Sequence, residues 1–115
     1  MTEQRYIDIE DTVLVGLLNA PNSGETPFKV DPEIFTTTFK KRIASHINSL
    51  IDEGTPEMAL FNIENMVDNT PPLQQEWNNI NSSASKFTFP LPVSTSKRYY
   101  DGIVMEYTKN MVKDL

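Results

Sequence analysis

The chain has 115 residues, 38% apolar and 23% charged, which fits one domain with one core and excludes the composition of a disordered chain. Its formal net charge is −6, from 16 acidic and 10 basic residues, so phosphate backbones repel it and strong autonomous nucleic-acid binding is not expected. It has no cysteine, which excludes disulfides and thiolate metal sites.

The amino-terminal residues show no basic end followed by an apolar stretch, and hence no signal peptide. The longest apolar run, Val13-Leu14-Val15-Gly16-Leu17-Leu18, is far too short to cross a bilayer. These features predict a soluble cytoplasmic protein with no membrane partner.

From about Ile7 to Asn19, Ile9, Val13 and Leu17, with Leu14 and Leu18, fall at helical spacing. Asp8, Glu10 and Asp11 are expected in the opening turn, where carboxylates favour the positive end of the helix dipole. Ala20-Pro21-Asn22-Ser23-Gly24 breaks this helix, and a polar loop runs on through Pro27. Asp31-Pro32-Glu33 is a helix-start signal for a short turn ending near Phe35. The clearest helix follows, from about Thr37 to Glu53. It carries Phe39, Ile43, Ile47, Leu50 and Ile51 in one stripe, with Gly54 placed for a left-handed cap.

Thr55-Pro56-Glu57 repeats the start signal, and the next helix takes Leu60, Phe61, Ile63, Met66 and Val67 to about Asp68. Asn69-Thr70-Pro71-Pro72 stops it and begins a shorter helix with Leu73, Trp77 and Ile80 on one face. Asn81 to Ser96 reads as irregular. Within it Phe87-Thr88-Phe89 alternates like a strand, but Pro90 and Pro92 exclude a central strand, leaving an extended loop pinned by its phenylalanines. The last helix, from about Lys97, presents Tyr100, Val104, Tyr107 and Met111 on one stripe. The expected fold is all-α: one domain over 1–115, a compact bundle of five to six short helices with proline-marked turns and one long irregular loop.

No constellation of catalytic or cofactor-binding residues emerges. The single histidine, His46, lacks the companions of a metal site and reads as a partly exposed helix residue. The four glycines are scattered, so no phosphate loop exists, and no Gly-x-Ser-x-Gly elbow is present. Asp8, Glu10 and Asp11 form the tightest acidic cluster, which helix-start electrostatics explains better than cation binding does. Asn81-Ser82-Ser83 matches a glycosylation sequon, by chance in a chain without a secretion signal. Trp77, Tyr99, Tyr100 and Tyr107 are large enough to anchor an interface, although a small domain needs most such side chains for its core. Lys40-Lys41-Arg42 is the one basic run. It reads either as the solvated face of its helix or as a dock for an acidic partner or a phosphate. The candidate partner-binding residues are therefore Lys40, Lys41, Arg42 and Tyr99, with no catalytic residue, no metal and no cofactor.

The order of features resembles the amino-terminal domain of bacterial replicative hexameric helicases of the DnaB type, and the related helicase-binding domain of bacterial primases. That family opens with Glu, then Val-Leu three and four residues on, then Leu-Leu; here Glu10, Val13-Leu14 and Leu17-Leu18 stand at those intervals. Its Pro-Glu-x-Phe turn is similar to Pro32-Glu33-Ile34-Phe35, and its Gly-x-Pro turn after a long helix to Gly54-Thr55-Pro56. Near the end, Tyr100, Ile103-Val104 and Glu106 resemble the family's Tyr, Ile-Val and Glu. The pattern departs at Val15, where the family has the glycine that here stands at Gly16. It departs also at Lys40, where histidine is frequent, and near Met58, where aspartate is. Between Met58 and Ser96 no register is fixed.

The resemblance implies a domain without a motor that helps assemble the helicase ring and contacts primase. The ATPase of a helicase parent would lie in a separate domain. Pairing of such domains uses a hairpin that would begin where this chain ends, so a monomer or weak dimer is expected, as an excised domain or a stand-alone relative. The competing readings are an unrelated small helical adaptor or regulator, of phage or plasmid type, that binds a protein, and, ranked last, an enzyme using carboxylates such as Asp8, Asp11 or Asp52.

Overall fold

In the computed structural model, which describes residues 1–86 and 91–113, five α-helices follow one another with three short 3-10 turns between them. They are α1 (Glu3–Asn19), α2 (Thr38–Glu53), α3 (Ala59–Asp68), α4 (Pro71–Ala84) and α5 (Val93–Lys113). The turns are Ala20–Ser23, Pro32–Ile34 and Pro56–Met58. There is no strand among the described residues, so the all-α bundle of short helices with proline-marked turns is the fold.

Helix α1 is the axis of the bundle. It lies chiefly against α4 and α5, with α2 and α3 also in contact. Every residue from Ile9 to Leu18 is buried, so this helix is enclosed on all sides rather than amphipathic. It begins earlier than expected, at Glu3, because the Thr2 hydroxyl accepts the Arg5 N–H and caps a polar, solvent-facing first turn. Glu10 and Asp11 therefore lie two turns inside the helix, and helix-start electrostatics does not explain them.

The α2 stripe is as expected: Phe39, Ile43, Ile47 and Leu50 are buried in the same core cluster as Val13 and Leu17. Thr37 caps the start of α2 by accepting the Lys40 N–H, and Gly54 ends it at φ 78°, the left-handed conformation that lets its N–H reach back to Ile51 and Leu50. The segment between α1 and α2 is held by side chains reaching its backbone. Asn48 both donates to and accepts from Val30, the Asp31 N–H donates to the Tyr100 hydroxyl at 2.8 Å, and the Tyr6 hydroxyl donates to the Ile34 carbonyl at 2.6 Å.

The irregular stretch expected over Asn81 to Ser96 is shorter. Helix α4 continues to Ala84, where burial of Ile80 and Ala84 one turn apart outweighs the weak helix propensity of Asn81, Ser82 and Ser83. Helix α5 starts at Val93, four residues early, its first turn closed by the Ser96 N–H donating to the Pro92 carbonyl. Phe87-Thr88-Phe89 and Pro90 lie outside the described residues. Helices α1 and α5 meet closely at Gly16, where a Cβ would fall 2.7 Å from the buried Ser96 hydroxyl. No described helix is long and apolar enough to cross a membrane.

Candidate functional site

The two halves of the basic run have different environments. Lys40 is not on a solvated face. Its position follows from the α2 stripe, since Lys40, Ala44 and Ile47 stand at i, i+4 and i+7 and all three are buried. Its ammonium lies 2.7 Å from Glu10 Oε1 and 2.7 Å from Asp11 Oδ1, both carboxylates themselves buried in α1. The Thr36 hydroxyl donates to the same Glu10 oxygen. Lys40 is thus an internal counter-ion joining α2 to α1, and the expectation that it belongs to an exposed docking face is corrected.

Two carboxylates share that one ammonium, leaving an excess negative charge inside the fold. Burial pushes the Asp11 carboxyl up to about 6, with Lys40 and Ser83 pulling it back only in part. For Lys40 burial favours the neutral amine, but hydrogen bonds and charge from Asp11 and Glu10 outweigh it and raise its pKa. A cleft of about 430 Å³ opens over Asp11 and Lys40, walled by Thr37, Glu76, Ser83 and Lys86. Glu76 accepts from the Thr37 hydroxyl, and Lys86 pairs with Asp8, so the charges at its edge are satisfied locally.

Lys41 and Arg42 face elsewhere. They line an open groove of about 520 Å³ between the Pro32 turn, α2 and α3, together with His46, Asn62, Ile63 and Met66. Lys41 donates only to the Glu33 main-chain carbonyl, at 3.0 Å, and Arg42 is exposed with no hydrogen bond or ion pair among the described residues. The half-buried His46 ring meets the Asn62 amide at 3.0 Å, a contact that fixes the ring but supplies no charged partner for base catalysis. The partly exposed Met66, with the buried Ile63 behind it, gives the groove an apolar side, and Glu33 is the one carboxylate among its described lining residues. Tyr99 is not brought to this groove. It packs half-buried against the core from α5.

No known protein family, characterised protein or solved structure matches this chain. Among the described residues no group of three histidine, aspartate or glutamate side chains is placed to hold a metal ion. What the groove offers is a polar wall with two cations, an imidazole held by the Asn62 amide, and the partly exposed Met66 side chain.

The buried ionic cluster escaped the sequence reading, yet one signal for it was present. Glu10 and Asp11 sit between Ile9 and Val13 in a helix apolar on both sides, so enclosure of that helix requires an internal cation.

Proposed function

We propose that this chain is a non-catalytic protein-interaction module, and that its most specific form is a replication-machinery domain that assists helicase assembly and helicase–primase contact. The observation that carries the module reading is the open α2–α3 groove, in which Lys41 and Arg42 lack carboxylate partners beside the apolar Ile63 and Met66. The order of motifs from Glu10 to Glu106 supports the replication form. A second reading, an unrelated helical adaptor for another protein, is favoured by the buried Glu10–Asp11–Lys40 cluster, because Lys40 occupies a position where the helicase family often has histidine.

Isothermal titration of the chain into a bacterial replicative helicase and into primase separates the two. Saturable binding to either supports the replication form. No heat with either, alongside capture of a different saturable protein partner, replaces it with the adaptor. A chain that turns over a substrate in the absence of any partner overturns the module reading itself.

A further inference from the structure

Helix α2 is charged against its own dipole. The amino-terminal end of a helix carries partial positive charge and favours carboxylates, and cations there are unfavourable. Among the five helices only α1 has a glutamate in its first turn; α2 has none there and places Lys40, Lys41 and Arg42 in succession near that end. Lys40 is compensated inside the fold by Glu10 and Asp11. Lys41 finds a main-chain carbonyl, and Arg42 finds nothing. The groove therefore carries positive charge, from Arg42 one turn into the helix and from Lys41 beside it, that no carboxylate among the described residues pairs with.

We propose that this groove docks an acidic segment of a protein partner. In it, carboxylates meet Lys41 and Arg42, and an adjoining apolar side chain lies on the partly exposed Met66. The proposal rests on the interaction-module reading and names the chemistry of its partner. Charge complementarity selects an anion, and the surroundings select a short one. Beyond the groove α2 ends in the exposed Asp52 and Glu53, and the Pro56 turn and α3 add the exposed Glu57, Glu64 and Asp68. A long polyanion such as a nucleic-acid strand meets the general repulsion of a chain of net charge −6. A segment with a few acidic residues and a hydrophobic anchor meets less of it.

The test is fluorescence anisotropy with a fluorescein-labelled eight-residue peptide alternating Glu and Leu. Controls are the same peptide with Lys for Glu, the same with Ser for Leu, and a 12-nucleotide single strand of DNA. The expected result is saturable, salt-sensitive binding of the Glu/Leu peptide. Binding should weaken at least tenfold in the Lys41→Glu, Arg42→Glu double variant and stay unchanged in Arg98→Glu, an exposed cation on α5 outside the groove. The double variant should melt at the same temperature or higher, because glutamate suits that end of α2, so lost binding cannot be lost folding. No binding at hundreds of micromolar, equal binding of the Lys peptide, or binding indifferent to the double variant would overturn the proposal. DNA binding tighter than peptide binding and abolished by the same variant would replace the acidic segment with nucleic acid. Helicase or primase binding that survives the double variant would remove this groove while leaving the module reading intact.

Discussion

At Asp11 the folded chain holds a carboxyl pushed up to about 6 from an ordinary 3.8, because burial penalises its charge more than Lys40 and Ser83 relieve it. A carboxyl whose pKa is raised by folding binds its proton more tightly in the folded state. Its contribution to stability is therefore greatest below about 4 and is lost as pH rises through about 6. Acidifying from pH 7 to pH 5 should raise the melting temperature, and Asp11→Asn should flatten that dependence, by an amount on the order of 1 kcal/mol, since only the part of the window below about 6 contributes, at about 1.4 kcal/mol per pH unit. A wild-type melting temperature that falls over this window would contradict the assignment. Lys40→Met should be far more damaging, about 3–5 kcal/mol by urea unfolding, because it leaves two buried carboxylates with no cation. Charge changes at the exposed Arg42 should cost almost nothing.

Helix by helix, apolar spacing made the α2 stripe and the Gly54 stop legible, since burial of one face and a left-handed cap both leave local marks; on α3, Ile63 and Val67 are buried but Phe61 points to solvent, 59% exposed. Ile47→Ala should lower stability by about 2–5 kcal/mol on thermal or urea unfolding, as truncation of a fully packed aliphatic does. Gly54→Ala should cost roughly 1–2 kcal/mol, for backbone reasons alone, because its φ is 78° and no atom lies near the added methyl. An Ile47 variant within error of wild type would show the stripe misplaced. The ends of α1, α4 and α5 were less legible. Glu3-Gln4-Arg5 form a solvated turn that no apolar period reveals, and Asn81-Ser82-Ser83 are helical because Ile80 and Ala84 are buried by α1, a tertiary cause. The division between Lys40 and its two neighbours also needed the third dimension. A run of three cations looks uniform until α1 places Glu10 and Asp11 beneath one of them.

At the scale of the whole molecule, a net charge of −6 coexists with a cationic groove, and the balance between them decides the partner. With Lys40 withdrawn into the core, the basic run offers phosphates only Lys41 and Arg42, so DNA binding at the groove should be weak at physiological salt with a shallow salt dependence. A gel-shift titration showing tight, steeply salt-sensitive binding would contradict this. The measurement that bears most directly on the central claim is amide chemical-shift mapping of the isotopically labelled chain during titration with a bacterial replicative helicase or primase, as the proposed partners. Shifts and line broadening should concentrate at Thr38, Arg42, His46, Asn62 and Met66, around the α2–α3 groove. Perturbations confined to α4 or α5 with that groove silent, or none at saturating partner, would contradict it.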